Sequence, residues 1–308
     1  MKPLGGTEIQ HRFLEHYVDD DLLNKFQICT SIPGKVPLSK DKINILWQKN
    51  SYDQPNIAPW FQDKSNHNKY DWYVFNSHWN YEKFRMMFDV PTDRCHIIKN
   101  GVNNFPHRIP FVKGEKVKMI FQVTPWRGLN VLLGAMQQIQ DVNVEVDIYS
   151  SCRIYGEEFG KLHEEKYEAL YEQARKLPNV NYIGYKEHSF IQKYMDRYHM
   201  FAYPSIWEET SCNSALEAMA GGLYCIVTNY GALYETCSEF PVYVTYDNNY
   251  RSLATAFAHA IRIAVETIHE PQVFEHLQMQ QNFVKKFYSW EKKSLEWTTF
   301  LKGISNGK

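Results

Sequence analysis

Glu209 and Glu217 stand eight positions apart in the run Pro204-Ser-Ile-Trp-Glu-Glu-Thr-Ser-Cys-Asn-Ser-Ala-Leu-Glu-Ala-Met-Ala-Gly-Gly222, and carboxylates so spaced share a ligand when a loop and a helix meet between them. A strand-like run, Met200 to Tyr203, leads in. Polar residues able to cap a helix follow, and the small run Ala218 to Gly222 lets that helix press closely on a sheet. The first turn of a helix has unpaired N–H groups and the positive end of the macrodipole, so Thr210, Ser211, Cys212 and Asn213 would present donors to an anion or to sugar hydroxyls. Glu209 would sit at the mouth. Glu217, about a turn and a half inside at ~3.6 residues per turn, would reach the same cleft and accept two hydrogen bonds from a vicinal diol such as a ribose. A plainer reading uses the same residues: Ser214 and Glu217 fit a capping box in which Glu217 satisfies its own helix, leaving Glu208 and Glu209 as solvated charges.

A second candidate lies upstream, where Val117-Lys-Met-Ile-Phe-Gln-Val-Thr124 reads as a strand and Pro125-Trp-Arg-Gly-Leu129 as the turn into a helix. Arg127 is a fixed cation with a planar fork, suited to a pyrophosphate and to the charge that grows as a nucleotide leaves. The alternative is an ordinary surface arginine. A helix start disfavours a cation through its macrodipole, which favours an anion bound beside Arg127 and Gly128.

These residues need elements to hold them. Strand patterns at about 26–31, 43–48, 72–76, 95–98, 117–123, 143–150, 180–184, 199–203, 223–228 and 241–245 alternate with helical patterns at about 7–17, 79–88, 128–139, 157–176, 188–197, 212–221, 250–268, 271–287 and 289–302. That alternation is the signature of parallel sheets built from βαβ units. The polar stretch from Asn100 to Lys116, with its Pro and Gly, reads as a linker. It divides a domain over 1–108 from a second over 109–287, with 288–308 a terminal helix. At 308 residues and 44% hydrophobic, the chain can fill two medium cores.

A net charge of −1 gives no basic field for nucleic acid and no polybasic membrane tether. Aromatic residues make up 15%, enough for some to line a carbohydrate or base pocket. Six cysteines, at 29, 95, 152, 212, 225 and 237, form no C-x-x-C pair and no metal-ligand spacing, and read as reduced thiols. With no apolar stretch near 18 residues and no charged-then-apolar leader, the expected location is cytoplasmic, with no transmembrane segment.

The run from Glu209 to Glu217 resembles the E-x7-E motif of retaining GT-B glycosyltransferases, specifically glycosyltransferase family four (glycosyl transferases group 1). Other stretches resemble that family in the right order: Gly5-Gly6-Thr7-Glu8, its glycine-rich loop and first helix; Ile97-Ile98-Lys99-Asn100-Gly101-Val102, the close of its first domain; Phe121 to Ala135, its phosphate-binding strand, loop and helix; Gly231-Ala-Leu-Tyr-Glu235; and Tyr288-Ser-Trp290, the terminal crossover helix. The resemblance implies an α/β GT-B architecture, two Rossmann-like parallel-sheet domains facing a cleft that holds the donor, with the last helix returning to the first domain. It implies a metal-independent retaining transferase of hexosyl type. The donor would be a nucleotide diphosphate sugar, UDP-sugar ahead of GDP-sugar, and the acceptor a carbohydrate or other hydroxyl; no cofactor and no metal are called for.

In that mechanism Arg127 and Glu209 act in catalysis, and Glu217 grips the ribose. Gly5 and Gly6 bring backbone N–H groups near the leaving phosphate or acceptor, unless they are a plain helix start. The family has an Arg and a Lys at the phosphate loop, whereas Arg127 stands alone here; Lys186 is a substitute cation, a nucleobase neighbour or simply an exposed lysine. Where relatives often carry a His after the second strand, this chain reads Gln48-Lys49-Asn50. Lys49 suits a sugar hydroxyl or phosphate but is charged at its reference pKa of about 10. His78 is a second candidate, more ordinarily structural, and no general base is assigned. Met1-Lys2-Pro3-Leu4 is too short for the strand that normally precedes the glycine loop, so the first domain reads as shortened, with room for a protein partner or oligomer to complete it. Two rivals stand beside this reading: a GT-A enzyme using Asp19-Asp-Asp21 for metal, and a non-catalytic sugar-nucleotide-binding module.

Overall fold

The computed structural model of the chain describes residues 5–305. Among them the first elements are α1 (Gly6–Tyr17), α2 (Asp20–Leu23), β1 (Phe26–Thr30), β2 (Ile43–Gln48), α3 (Ala58–Gln62), β3 (Trp72–Phe75), α4 (His78–Phe88) and β4 (Cys95–Ile97). After a long connection come β5 (Val117–Phe121), α5 (Leu129–Gln138), β6 (Val144–Ile148), α6 (Glu157–His163), α7 (Glu168–Lys176), β7 (Val180–Tyr182), α8 (His188–Lys193) and β8 (Met200–Tyr203). The chain closes with α9 (Asn213–Ala220), β9 (Tyr224–Thr228), α10 (Leu233–Cys237), β10 (Val242–Val244), α11 (Tyr250–Thr267), α12 (Pro271–Tyr288) and α13 (Trp290–Ser305).

Two compact units result. The four-stranded unit consists of Gly6–Val102, Glu209–Ser211 and the chain from Lys286 onward. Its sheet runs β1-β2-β3-β4, all parallel. Every residue of β2 is buried, because apolar clusters cover both faces of the sheet. One cluster joins Leu14 of α1 and Val18 just after it to Ile45 and Trp47 of β2 and to Trp290, Trp297 and Leu301 of α13. The terminal segment is also held by backbone bonds: Val102 N–H donates to the Tyr288 carbonyl (2.8 Å) and Trp290 N–H to the Val102 carbonyl (3.2 Å). Beside them the Gln10 side chain both donates to the Gly101 carbonyl (2.8 Å) and accepts from its N–H (2.9 Å).

The six-stranded unit consists chiefly of Asn103–Glu208 and Cys212–Lys285, and its parallel sheet runs β10-β9-β8-β5-β6-β7. The chain leaves β5 outward to β6 and β7, then returns to the other side of β5 to lay down β8, β9 and β10. The strand order therefore reverses between β5 and β8. Beyond the carboxyl ends of two such strands, the flanking connections diverge and leave a crevice.

Several local expectations give way to packing. The helix anticipated over 157–176 is two helices, α6 and α7, separated by a tight 3-10 turn over Glu165–Tyr167; the Glu164 carboxylate, at the end of α6, accepts from Ser151 Oγ (3.1 Å) and Cys152 N–H (2.9 Å). Helices α2, α3 and α10, of 4–5 residues, are too short to register a helical period. The acidic run Asp19-Asp-Asp21 is a helix start: Asp19 accepts from Leu22 N–H (3.0 Å), and Asp20 and Asp21 form the first turn of α2. The expectation about Met1–Leu4 falls outside the described residues.

Candidate active site

In the six-stranded unit, the loops that follow β5 and β8 touch. After β5 the chain makes a tight turn, Pro125–Arg127, and Gly128 then opens α5 with φ +126°. A Cβ on Gly128 would lie 2.1 Å from the Pro204 carbonyl oxygen, so only glycine permits this approach. Ile206 N–H reaches the Arg127 carbonyl at 3.4 Å, and the Arg127 guanidinium lies 5.3 Å from the centre of the Trp207 ring. Gly128 and Cys212 precede α5 and α9 as their N-cap residues, and neither side chain makes a capping hydrogen bond to its helix. Thr124 Oγ1, in the same loop, is buried with no hydrogen-bond partner among the described residues. A cation and two helix starts around a strand reversal suit an oxygen-rich anion.

Glu217 lies on α9, in the same unit. Its Oε1 meets His188 Nε2 at 2.7 Å, and its Oε2 accepts from Gln122 Nε2 at 3.3 Å. The capping box does not form: Ser214 is already inside α9 and its hydroxyl donates to the Gln122 carbonyl (3.3 Å). Desolvation is the largest influence on His188 and lowers its pKa, but the charge and hydrogen bond of Glu217 together outweigh it and hold the imidazole above its usual range. With one donor on each oxygen, the carboxylate keeps lone pairs for a further pair of hydroxyls.

Glu209, Thr210 and Ser211 group with the four-stranded unit instead. Glu209 is buried. Thr210 Oγ1 donates to the Lys49 carbonyl (2.7 Å) and accepts from Asn76 Nδ2 (3.1 Å), while the Thr210 carbonyl accepts from Ser77 Oγ (2.6 Å). Asn100 Nδ2 donates to Ser211 Oγ (3.3 Å), and Asn100 Oδ1 accepts from Lys49 Nζ (2.9 Å). The hydroxyl and carbonyl of Thr210 and the hydroxyl of Ser211 are thus engaged by their own unit.

Lys49 needs a correction. It is not a solvated lysine: it is buried just past the end of β2 with Nζ 3.5 Å over the Trp47 ring, and desolvation pushes its pKa well below the usual range, Glu8 opposing. Of the remaining candidates, His78 is exposed as the first residue of α4, Gly5 is buried, and Gly6 is exposed at the start of α1. Lys186 is exposed, its Nζ 5.4 Å from the centre of the Phe190 ring.

The structure thus gathers Arg127, Gly128 and Glu217 in one unit, and Glu209, Thr210, Ser211 and Lys49 in the other. Three members escaped the sequence reading. Gln122 carried a signal, as a polar residue closing an apolar strand. His188 and Trp207 carried none, since nothing local to them indicates their contacts.

The family model described as glycosyl transferases group 1 matches residues 105–269, more than half of the 308. The chain belongs to this family. The matched stretch of this group 1 glycosyltransferase contains Gln122, Arg127, Gly128, His188, Trp207, Glu209 and Glu217. Its fold is similar to that of a glycosyltransferase from Rickettsia africae ESF-5 (TM-score 0.68, 15% identity), covering 99% of this chain and 83% of that one. A sucrose-phosphate synthase from Thermosynechococcus elongatus is as similar (TM-score 0.68, 15% identity, 98% and 79% covered). HepE from Anabaena, in complex with UDP and glucose, is also similar (TM-score 0.64, 15% identity, 85% and 72% covered). At such identity the likeness establishes the fold, which is GT-B with two Rossmann-like parallel-sheet units. No curated protein matches the chain in sequence. Among the described residues no helix is long and apolar enough to cross a membrane.

Proposed function

We propose that this glycosyltransferase is a retaining, metal-independent member of glycosyltransferase family four that moves a hexosyl group from a nucleotide diphosphate sugar to an acceptor hydroxyl. The observation that carries the reading is the Arg127–Gly128 turn at the strand reversal, with Glu217 on the adjoining helix. The acceptor oxygen bonds to the anomeric carbon on the face from which the diphosphate departs, and the hydroxyl proton passes to the leaving diphosphate oxygen. Arg127 and the starts of α5 and α9 neutralise the charge that develops there. Glu209 holds sugar hydroxyls and Glu217 the ribose. UDP-sugar stands ahead of GDP-sugar, in keeping with the UDP bound by the Anabaena neighbour. The four-stranded unit is the acceptor side. The six free cysteines fit a cytoplasmic setting.

The test is to incubate the protein with UDP- and GDP-sugars, with and without chelator, and to follow nucleotide release and the anomeric configuration of product by NMR. One donor should be consumed, by transfer or slow hydrolysis, at a rate indifferent to chelator and with configuration retained. Donor binding without release would make the protein a non-catalytic binding module. Inversion would refute the retaining mechanism, and loss of activity in chelator the metal independence.

A further inference from the structure

We propose that His188 is the positioning residue for the ribose-binding carboxylate: its imidazole fixes one oxygen of Glu217 while the Gln122 amide fixes the other, so that the carboxylate meets a ribose diol already oriented. The inference rests on the ribose role proposed for Glu217. Three elements converge to build the arrangement. Gln122 follows β5, His188 opens α8 after β7, and Glu217 lies on α9 after β8. A glutamate side chain otherwise samples several rotamers about its three torsions, and a ligand that must freeze them binds more weakly than one meeting a fixed carboxylate. Tying each oxygen to a separate donor fixes the terminal torsion as well.

Of the two donors His188 dominates. Its contact with Glu217 is 2.7 Å against 3.3 Å for Gln122, and it alone can carry charge. The side chains of His188 and Glu217 are 26% and 11% exposed, so the pair is partly shielded from water. Glu217, from α9, is the charged group that acts on the imidazole; on the histidine's own segment Lys186 is directed over Phe190, and Glu187 precedes α8. Since Glu217 holds the histidine pKa above its ordinary value of 6.5, the ion pair is complete at lower pH and is lost as pH rises through that elevated value. Ribose recognition should weaken in the same direction.

The experiment is calorimetric titration of wild-type protein, His188→Ala and His188→Gln with whichever of UDP, GDP and ADP binds most tightly, and with its 2′-deoxy analogue, between about pH 6 and 9. Wild type should prefer the ribonucleotide by on the order of tenfold or more at low pH, the ratio expected for a hydrogen bond to a charged group, and the ratio should fall as pH rises. His188→Ala should show a small, pH-independent ratio. His188→Gln, which keeps a donor without a charge, should recover part of it, with no pH dependence. Equal weakening of both nucleotides in His188→Ala would be the mark of a merely structural histidine. That result, or an unchanged ratio, overturns the proposal while leaving the ribose role of Glu217 intact. If wild type does not discriminate the two nucleotides, or binds none, the ribose reading fails and the inference with it. The pH series on wild-type protein stands even if a variant does not fold.

Discussion

Gly128→Ala is expected to lower stability by about 2–6 kcal/mol, the sum of left-handed backbone strain and overpacking, and to abolish transfer. The residue sits at φ +126°, and its new methyl would meet the Pro204 carbonyl oxygen at 2.1 Å and the carbonyl carbon at 3.0 Å. Those atoms are backbone and cannot swing aside as a flexible side chain would. Relief requires the β5 and β8 loops to separate, which moves Arg127 off Trp207. Gly34→Ala is the control: that glycine has φ +76° but nothing within 4 Å of the added Cβ, so only backbone strain of about 1–3 kcal/mol remains. Urea denaturation checks both, as a lower midpoint at constant slope. If the Gly128 variant were no less stable than the Gly34 one, the two loops would not be locked together.

Arg127→Ala is expected to lower kcat by about 10²–10³-fold, the usual cost of removing a group aimed at charge that develops in the transition state. KM should move less, since the diphosphate gains most of its negative charge as the glycosidic bond breaks. Arg127→Lys should recover only part of the rate, because an ammonium has no planar fork for two phosphate oxygens and stacks less well on Trp207. Steady-state kinetics on the donor identified above makes the comparison, and unchanged turnover in Arg127→Ala would remove the arginine from the reaction.

Among the described residues the ten strands lie to within two residues, at either end, of where the apolar and alternating runs put them: Met200–Tyr203, buried throughout, is continuously apolar, whereas Val144–Ile148 alternates buried apolar with half-buried acidic residues. Val144–Ile148 inside the anticipated 143–150 is typical. What escapes the sequence is tertiary. No local pattern shows that Glu164 reaches back to Ser151 and Cys152. The site divides in the same way. The Arg127–Gly128 turn was legible, being a strand end, a breaker and a helix start in succession. The partners of Glu217 were not, because Gln122 and His188 lie 95 and 29 residues from it in the chain. Nor was the state of Lys49, for a reference pKa describes a lysine in water, and only the fold reveals the indole ring and apolar sheet that enclose this one.

The most direct measurement is a crystal structure of the protein with its preferred nucleotide bound. The expected result is diphosphate oxygens at hydrogen-bond distance, about 2.7–3.2 Å, from the Arg127 guanidinium and the first turn of α9, with both ribose hydroxyls on the Glu217 carboxylate. A nucleotide bound elsewhere, with Arg127 still against Trp207 and Glu217 still held by Gln122 and His188, would contradict it.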